Sequence, residues 1–449
     1  MIQLSLSDLA GVLDCEIPAG GVLVDSIVTD SRQVHYGALF AALPGSQVDG
    51  HDFASTAVGL GAVALLVSRR LDLDVPQLVV KDVLPALGRL ARLVRDRVNP
   101  RVIGITGSNG KTTVKEMLSS ILRRHGKVLA TRGNYNNELG VPLSLFELAP
   151  DHRYAVLELG ASKSGDIAYL TGIAGLDVGL VTNVGPAHLQ GFGDEQGVAE
   201  AKGEIFAGLP ASGWAIINGD EQWSSAWRKT STAGHTLTFG TQAGNDVRLE
   251  HRDGQARIAA PQGSFDLEIP LPGEHNLLNA TAAAAAAIAL DIPLDAIRSG
   301  LAAVKPVPGR LNLLRTASGC TVIDDTYNAN PASLYSALQV LAKMQGKAWL
   351  VLGDMKELGS RSRKLHAEVG DAARSLGVSR LFATGEMSKF TVEAFGQGAT
   401  HFEDREALIE ALIPELKPRI NCLVKGSRSM GMEAVVAAIR QERGMREAS

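Results

Sequence analysis

The sequence predicts an α/β protein built from three domains. Its 449 residues are too many for one hydrophobic core, and a chain of this length usually forms about three domains. Beyond Arg101, apolar segments typical of buried strands alternate with helical segments, and each apolar segment runs into a polar turn. That alternation predicts a mostly parallel sheet with helices on both faces. Residues 305–310, "KPVPGR", contain two prolines and a glycine, which predict a linker before a second α/β unit.

We expect the first domain to cover residues 1–98 as a small α/β unit. Its short apolar segments "GVLVDSIVTDS", "GALFAAL", "AVALLVS" and "PQLVV" predict strands separated by turns. The segment "LPALGRLARLVRD" has apolar residues at helical spacing, so it predicts one amphipathic helix.

The central domain is predicted to span residues 99–308. Its strands are expected at "RVIGIT", "YAVLELG", "VGLVTNV" and "WAIINGD". Residues 237–269 alternate polar and apolar side chains between glycine turns, which predicts an antiparallel extension of the sheet. The alanine-rich segment at 280–290, "ATAAAAAAIAL", predicts a helix packed closely against the sheet.

The last domain is predicted to span residues 309–449. Four apolar segments, "TVIDDTY", "AWLVLGD", "RLFATGE" and "NCLVKGS", predict strands separated by helices. This pattern predicts a second, smaller α/β domain.

Composition excludes several classes of protein. A net charge of −4 and an isoelectric point of about 6.2 argue against a nucleic-acid-binding surface, which needs a basic stripe. The three cysteines, Cys15, Cys320 and Cys422, are far apart, which excludes a structural zinc site and indicates reduced thiols. The sequence contains no secretory signal and no apolar stretch long enough to cross a membrane. We therefore expect a cytoplasmic protein without membrane insertion.

A phosphate-binding loop is the main functional signal. In "IGITGSNGKTT", Gly107, Asn109 and Gly110 separate a predicted strand from a predicted helix, and such a loop lets backbone N–H groups converge on phosphate oxygens. Lys111 supplies a cation, and the Thr112 hydroxyl can bind Mg²⁺. The strict G-x-x-x-x-G-K-[ST] spacing is not met, because the first glycine stands one residue too early. The structural alternative is a glycine-rich turn followed by a surface lysine.

Three polar residues follow the loop in positions that suit a metal or a phosphate. Glu158 ends the next predicted strand, where an acid that binds the metal is common. His188 follows a Gly-Pro turn after another strand, and Lys202 lies on a predicted helix in "AKGEIF". Taken singly, each can equally be a solvated surface residue.

These segments together resemble the Mur ligase family of ATP-dependent amide ligases in peptidoglycan precursor synthesis. The stretches that carry the resemblance occur in family order over nearly the whole chain, and they are "TGSNGKTT", "LELGAS", "TNVGPAHLQGFG", "AKGEIF", "GEHNLLNATAAAA", "PGRL", "IDDTYNANPAS" and "VLGDMKELG". The segment "DDTYNANPAS" and the N-terminal "DSRQVHYGALFAALPGSQVDGHDF" are similar to those of the members that add D-alanyl-D-alanine to UDP-N-acetylmuramoyl-tripeptide. The DNPR signature of the diaminopimelate-adding members is absent from the last domain.

The resemblance implies an N-terminal UDP-sugar domain, a central P-loop ATPase domain and a C-terminal Rossmann-like domain that completes the ATP site. It implies ATP and Mg²⁺ as cofactors and an acyl phosphate as the intermediate. The residues implied to hold the phosphates are Gly107, Ser108, Asn109, Gly110, Lys111, Thr112 and Thr113. Those implied to serve Mg²⁺ are Thr112, Glu158, His188 and a Lys202 carbamylated by CO₂.

The same resemblance implies further contacts with the nucleotide and the substrate. Asn276 and Asn279 would face adenine, and Arg310 and Asp325 would flank the ribose and phosphates. The candidates for the UDP-sugar and its peptide are Ser31, Arg32, Asp49, Asn134, Asn136 and Asn137. The catalytic candidates are Lys111, Lys202 and His188, and we expect a monomer.

Two other functions stay open at this point. The first is a different amide ligase of the same architecture, such as a folylpolyglutamate synthase, although that family has "DGAHNP"-like residues where this chain has "DDTYNANP". The second is a P-loop switch without ligase chemistry, which would not need Glu158, His188 and Lys202 together. Neither the third peptide residue of the substrate nor the kinetic order can be predicted from the sequence.

Overall fold

The fold was obtained as a computed structural model, which describes residues 1–16, 21–45, 48–186, 189–252, 254–317, 319–443 and 445–447. Three α/β units follow one another along the chain, each built around its own main sheet. This arrangement confirms the predicted fold class.

The N-terminal unit contains a four-stranded parallel sheet and a short antiparallel pair. Its elements are β1 (Leu4–Ser5), α1 (Leu6–Leu13), β2 (Leu23–Val24), β3 (Ser26–Val28), β4 (Ala38–Ala41), α2 (Ala54–Gly59), β5 (Ala64–Val67), β6 (Gln77–Val79) and α3 (Val83–Val98). The prediction of one helix was wrong, because α1 and α2 are too short to show a clear period. Helix α1 begins at a capping box in which Ser5 and Asp8 exchange hydrogen bonds.

The central unit contains a nine-stranded sheet in the order β15-β14-β13-β12-β11-β10-β7-β9-β8. Its strands are β7 (Arg101–Thr106), β8 (Lys127–Ala130), β9 (His152–Glu158), β10 (Val178–Val181), β11 (Trp214–Asn218), β12 (His235–Gly240), β13 (Val247–Arg252), β14 (Gln255–Ala260) and β15 (Gly263–Asp266). The pairs from β8 to β13 are parallel, and β13, β14 and β15 pair antiparallel. The antiparallel extension predicted at 237–269 is therefore confirmed.

Helices cover both faces of the central sheet. They are α4 (Lys111–Leu122), α5 (Gly140–Phe146), α6 (Asp166–Ala174), α7 (Leu189–Phe192), α8 (Glu195–Ala207), α9 (Ser224–Thr230), α10 (Glu274–Ile288) and α11 (Leu294–Ala302). The alanine-rich α10 packs against α4, β12 and β13, and its alanines at 280 and 282–287 are buried. Small side chains let α10 approach its neighbours closely, as the sequence predicted.

The N-terminal unit shares a hydrophobic core with one face of the central sheet. Helix α3 packs against α5 and α6, and residues such as Leu87 and Leu90 belong to the same buried cluster as Leu145 and Leu170. A second cluster fills the other face, beneath α4, α10 and α11. The first two units are therefore joined by buried apolar surface as well as by the chain.

The C-terminal unit is a seven-stranded sheet in the order β20-β19-β18-β21-β17-β16-β22. Its elements are β16 (Asn312–Thr316), β17 (Thr321–Asp325), α12 (Pro331–Ala342), β18 (Lys347–Gly353), α13 (Ser362–Ser375), β19 (Val378–Thr384), α14 (Ser388–Phe395), β20 (Ala399–Phe402), α15 (Arg405–Glu415), β21 (Ile420–Lys425), α16 (Glu433–Arg443) and β22 (Met445–Glu447). Five neighbouring strands are parallel, and β16 and β22 pair antiparallel at one edge. The four predicted strands are present, whereas the short strands β16, β20 and β22 were not predicted.

The segment between α11 and β16 contains neither helix nor strand, in keeping with the linker predicted at 305–310. Leu311, directly after the linker, has a positive φ of 53°. Within the described ranges, no helix combines the length and the apolar character needed to cross a bilayer.

Candidate functional site

A cleft of about 600 Å³ lies between the central and C-terminal units. On the central side, β7, β9 and β10 are parallel neighbours, so their carboxyl ends meet at the same edge of the sheet. On the other side, β17 and β21 are parallel, and Asp325 pairs with Lys425 at their carboxyl ends. Binding sites of α/β sheets are usually found at such edges.

The glycine-rich loop between β7 and α4 forms one wall of the cleft. Gly107 and Gly110 have φ angles of 147° and 83°, which other residues rarely adopt. A Cβ atom at Gly110 would lie 2.4 Å from Oδ1 of Asn279, and one at Gly107 would lie 1.8 Å from Oγ1 of Thr182. Both glycines are therefore required by conformation and by space.

Residues after β10 hold the loop in place from behind. The Thr182 hydroxyl donates a 2.6 Å hydrogen bond to the Asn109 carbonyl. The Asn183 amide donates to the same carbonyl at 3.1 Å and accepts from the Asn109 N–H at 2.9 Å. The loop is thus preorganised, and the N-terminus of α4 directs its free N–H groups and its positive dipole end toward the cleft.

Lys111, the first residue of α4, donates a 2.7 Å hydrogen bond to the Gly107 carbonyl. Burial lowers the pKa of Lys111, Glu158 opposes this shift, and Arg310 adds to it. Among the described residues, the ammonium group at the cleft has the Gly107 carbonyl as its hydrogen-bond partner, so an anion that entered could displace this contact.

Glu158 and Thr112 bring oxygen atoms together beneath the loop. The Thr112 hydroxyl donates to Oε2 of Glu158 at 3.1 Å, and both residues are buried. Oε1 of Glu158 is buried and makes no hydrogen bond within the described part of the chain. A buried carboxylate oxygen with spare acceptor capacity beside a hydroxyl suits a hard cation such as Mg²⁺. His188, the third metal candidate, lies outside the described residues.

Lys202 lines the cleft from α8 and is 2% exposed. Burial, with a smaller effect from Lys111, lowers its pKa well below the usual value for lysine. None of the described residues forms a hydrogen bond or an ion pair with its ammonium group. An unpaired cation at such a position is costly, so the neutral amine is favoured.

The start of α10 contributes two buried amide side chains to the cleft. Asn279 donates to Oδ1 of Asn276 at 3.2 Å, and Asn276 donates to the Pro272 carbonyl at 2.7 Å. This pair leaves amide donor and acceptor groups available to a flat, polar ring.

The C-terminal unit contacts the glycine-rich loop directly. The Arg310 guanidinium donates a 2.7 Å hydrogen bond to the Thr112 hydroxyl and stacks 4.1 Å from the centre of the Tyr327 ring. Asn330, the residue that caps α12, donates to Oδ1 of Asn109 at 2.8 Å. The cleft is therefore closed on one side by polar contacts between the two units.

Asp325 and Lys425 form a buried ion pair at the floor of the C-terminal side. Burial raises the pKa of Asp325, whereas Lys425 and Arg310 oppose that shift. Lys425 also donates to the Asn328 carbonyl at 2.9 Å. The carboxylate is thus fixed next to Arg310.

The remaining sequence candidates separate into two groups. Asn136 and Asn137 line the cleft, whereas Asn134 is exposed beside it. Ser31, Arg32 and Asp49 lie in the N-terminal unit and do not line the cleft. Two of these three are engaged locally: Arg32 pairs with Asp30 at 2.7 Å, and Asp49 accepts from His51 and Arg69.

Several residues of the site were missed by the sequence analysis. Thr182, Asn183 and Lys425 directly follow or end strands, which is the same signal that identified Glu158 and could have identified them. Lys115 lies one turn after Lys111 on α4, and nothing in the sequence distinguishes it from a surface lysine.

Comparison with known proteins identifies relatives over nearly the whole chain. Residues 23–96 match the Mur ligase family catalytic domain, residues 105–287 the Mur ligase middle domain, and residues 309–428 the Mur ligase glutamate ligase domain. The UDP-N-acetylmuramoyl-tripeptide–D-alanyl-D-alanine ligase of Escherichia coli (strain K12) is 45% identical over 450 residues, which cover 98% of this chain and 99% of that protein.

Solved structures show the same likeness. MurF from Acinetobacter baumannii superposes with a TM-score of 0.91 and 36% identity, over 98% of this chain and 100% of that one. The MurF ligase from Thermotoga maritima, solved in complex with ADP, gives a TM-score of 0.84 and 31% identity, over 93% and 97% of the two chains.

Proposed function

We infer, since the chain belongs to the Mur ligase family, that it catalyses the ATP-dependent addition of D-alanyl-D-alanine to UDP-N-acetylmuramoyl-tripeptide. The observation that carries this inference is the cleft in which a phosphate-binding loop meets Arg310 and Asp325 of the C-terminal unit. The relative that is 45% identical over 98% of the chain carries the name of this reaction, which favours it over the folylpolyglutamate synthase alternative.

The chemistry explains why the cleft collects positive charge. A carboxylate and an ammonium group form a salt at neutral pH, so the carboxylate must first become a better acyl donor. Its oxygen attacks the γ-phosphorus of ATP, and ADP leaves. The amine of D-alanyl-D-alanine then attacks the acyl phosphate, phosphate leaves, and a proton is released. Neither step needs a covalent bond to the protein.

Lys111, Arg310 and the N-terminus of α4 supply fixed positive charge at the phosphates. Carboxylate and triphosphate repel each other, and charge develops on the transferred group, so preorganised donors lower the barrier. Arg310 contacts the loop from the opposite side of the cleft, which places Lys111 and Arg310 on two sides of the same space. The contact between the two units also limits access of water to the acyl phosphate.

Thr112 and Glu158 are the oxygen ligands we propose for Mg²⁺, with His188 added by the family motif. When bound, Mg²⁺ would neutralise phosphate charge during the transfer. We propose that the neutral Lys202 amine adds to CO₂ and releases a proton, which gives an anionic carbamate with two further oxygen atoms. Its lowered pKa supports this role, because only the neutral amine reacts.

The residues that would bind the rest of the nucleotide and the UDP-sugar substrate are also proposals. We propose that Asn276 and Asn279 bind adenine and that Asp325 binds the ribose. Asn136 and Asn137 would hold the peptide end of the substrate, with Asn134 beside them, and the N-terminal unit would bind the UDP-sugar through Ser31, Arg32 and Asp49. We also propose that the protein acts in the cytoplasm as a monomer.

The test is phosphate release measured with each substrate left out in turn. Full release should require both UDP-N-acetylmuramoyl-tripeptide and D-alanyl-D-alanine, and Lys111→Ala should reduce it by about 10³-fold, as the loss of a donor to a transition-state oxyanion does. Release that does not depend on the dipeptide would favour a P-loop switch. A comparison of tripeptides ending in diaminopimelate and in lysine would identify the third residue.

A further inference from the structure

Three lysines of the described residues are buried: Lys115, Lys202 and Lys425. The proposed reaction uses Lys202, and Lys425 neutralises Asp325, but Lys115 has no role in it. Lys115 lies one turn after Lys111 on α4 and is 3% exposed. It does not line the cleft, so it cannot touch the nucleotide in this arrangement.

The ammonium group of Lys115 joins three segments of the central unit. It donates to the Thr131 carbonyl at 2.7 Å, just after β8. It lies 3.0 Å from Oε1 of Glu116 and 3.4 Å from Oε1 of Glu158 at the end of β9. A buried cation is retained only where such partners compensate its lost hydration.

The Glu158 carboxylate is oriented by this group and by the Thr112 hydroxyl, and its backbone is fixed by Thr131. Its Oε2 accepts from the Thr112 hydroxyl at 3.1 Å, and its N–H donates to the Thr131 hydroxyl at 3.0 Å. Oε1 makes no hydrogen bond within the described residues, and the Lys115 ammonium group, 3.4 Å away, attracts it on the side away from the cleft. Without Lys115, the carboxylate would keep only the Thr112 contact of these two and would rotate more freely, and the Thr131 carbonyl would lose the Lys115 donor.

We propose that Lys115 is a positioning residue that holds the Glu158 carboxylate beside Thr112, so that both oxygens are presented to Mg²⁺ at the nucleotide. The proposal rests on the proposed function, because it assumes that Glu158 binds the metal. Removal of Lys115 should weaken the effect of Mg²⁺ on nucleotide binding and leave metal-free binding nearly unchanged, since the glycine-rich loop and Lys111 stay in place.

The experiment is calorimetric titration of the full-length protein with ADP, with and without Mg²⁺. The quantity compared is the gain in ADP affinity that Mg²⁺ produces. In Lys115→Met this gain should fall at least fivefold, while the metal-free Kd changes less than twofold. Lys115→Arg, which keeps the cation, should retain most of the gain. Lys127→Met removes a lysine from an exposed ion pair with Asp151 and should behave as wild type.

The variant Glu158→Gln distinguishes failure of the positioning role of Lys115 from failure of the proposed metal site at Glu158. If Glu158→Gln loses the gain and Lys115→Met keeps it, the positioning role is wrong while the metal site stands. If Glu158→Gln also keeps the gain, Glu158 does not serve the metal, and both proposals are overturned. A purely structural Lys115 would reduce the folded fraction without changing the Mg²⁺ gain of the remaining protein. Should Lys115→Met fail to fold, Lys115→Gln, which can still donate to the Thr131 carbonyl, takes its place.

Discussion

The Arg310 guanidinium donates a 2.7 Å hydrogen bond to the Thr112 hydroxyl, although the two residues are 198 positions apart. Thr112 belongs to the helix that follows the phosphate-binding loop, and Arg310 opens the C-terminal unit. Stacking of the guanidinium on the Tyr327 ring, 4.1 Å from its centre, keeps it over the cleft. A metal ion bound at Thr112 would repel the Arg310 cation, so we expect Arg310 to exchange this hydroxyl for a phosphate oxygen, to which its charge binds strongly.

Arg310→Ala should therefore reduce ATP-dependent ligation by about 10²-fold or more, since a planar cation at the transferred phosphate is lost. Arg310→Lys should recover only part of the activity, because lysine is a point charge that cannot bind two oxygens side by side. Steady-state rates at saturating ATP measure the effect on kcat. Arg428→Ala is the matched control: Arg428 also faces the Tyr327 ring, at 5.9 Å, but its side chain is 65% exposed. Equal losses in both variants would contradict the assignment.

Local patterns predicted the parts of the site that lie within one segment. The loop from Gly107 to Thr113 and Glu158 at the end of β9 follow from a strand and the turn beside it, whereas the amide pair on α10 was implied by the family resemblance. Those patterns also predicted the α/β class, because buried strands and amphipathic helices have different periods.

Residues that act through distant partners were not predictable in this way. Asn330 is recognisable as a helix cap, but its bond to Asn109 spans 221 positions and depends on how two units pack. Lys115 sits where an exposed helical lysine would be ordinary, and only the positions of Thr131 and Glu158 make it a buried group. Short strands such as β20 were missed because four residues carry too little periodicity.

Lys202 should make stability depend on pH. Its pKa is lowered by burial and by Lys111, so the unfolded chain binds more protons at this site than the folded chain. The contribution of Lys202 to the free energy of unfolding therefore decreases as pH falls below the usual pKa of lysine, about 10.4. Stability correspondingly increases as pH rises toward that value. Lys202→Met removes the burial cost, so its advantage over wild type in the free energy of unfolding should be larger near pH 6 than near pH 9. Urea unfolding in CO₂-free buffer at several pH values measures this difference.

The control for Lys202→Met is Lys389→Met, at an exposed position of α14, whose effect on stability should not vary with pH. A constant difference for Lys202→Met as well would show that its amine is not perturbed. Activity gives a separate readout: Lys202→Ala should lose turnover and recover part of it with short-chain carboxylates. Unaltered turnover in Lys202→Ala would remove this residue from the mechanism.

The buried pair of Asp325 and Lys425 should be important for the stability of the C-terminal unit. Lys425→Met leaves the Asp325 carboxylate with the Leu311 N–H, at 3.3 Å, and the nearby charge of Arg310, and breaking a buried pair in this way costs about 3–5 kcal/mol. The double variant Asp325→Asn with Lys425→Met should recover part of that loss. Urea unfolding and hydrogen exchange in β17 and β21 report it. Lys347→Met, at the exposed start of β18, should change both measurements little, and a similar loss there would contradict the special role of the pair.

Closure of the cleft should depend on the bond between Asn330 and Asn109. Asn330 has two functions: its Oδ1 accepts from the Ser333 N–H at 2.8 Å and caps α12, and its amide donates to Asn109 at 2.8 Å. Asn330→Ser separates them, because serine also caps helices well but is too short to reach Asn109. One hydrogen bond contributes about 1 kcal/mol, so Asn330→Ser should shift the balance between open and closed forms roughly fivefold.

Small-angle scattering tests this shift. Wild-type protein should become more compact when an ATP analogue and UDP-N-acetylmuramoyl-tripeptide are added, and Asn330→Ser should need roughly fivefold more nucleotide for the same change. Asn330→Ala should show the same scattering defect together with a lower Tm, since it also loses the cap. If neither wild type nor variant becomes more compact, the two units do not close on the ligands. If Asn330→Ser follows the wild-type titration, closure depends on Arg310 and Thr112 rather than on this bond.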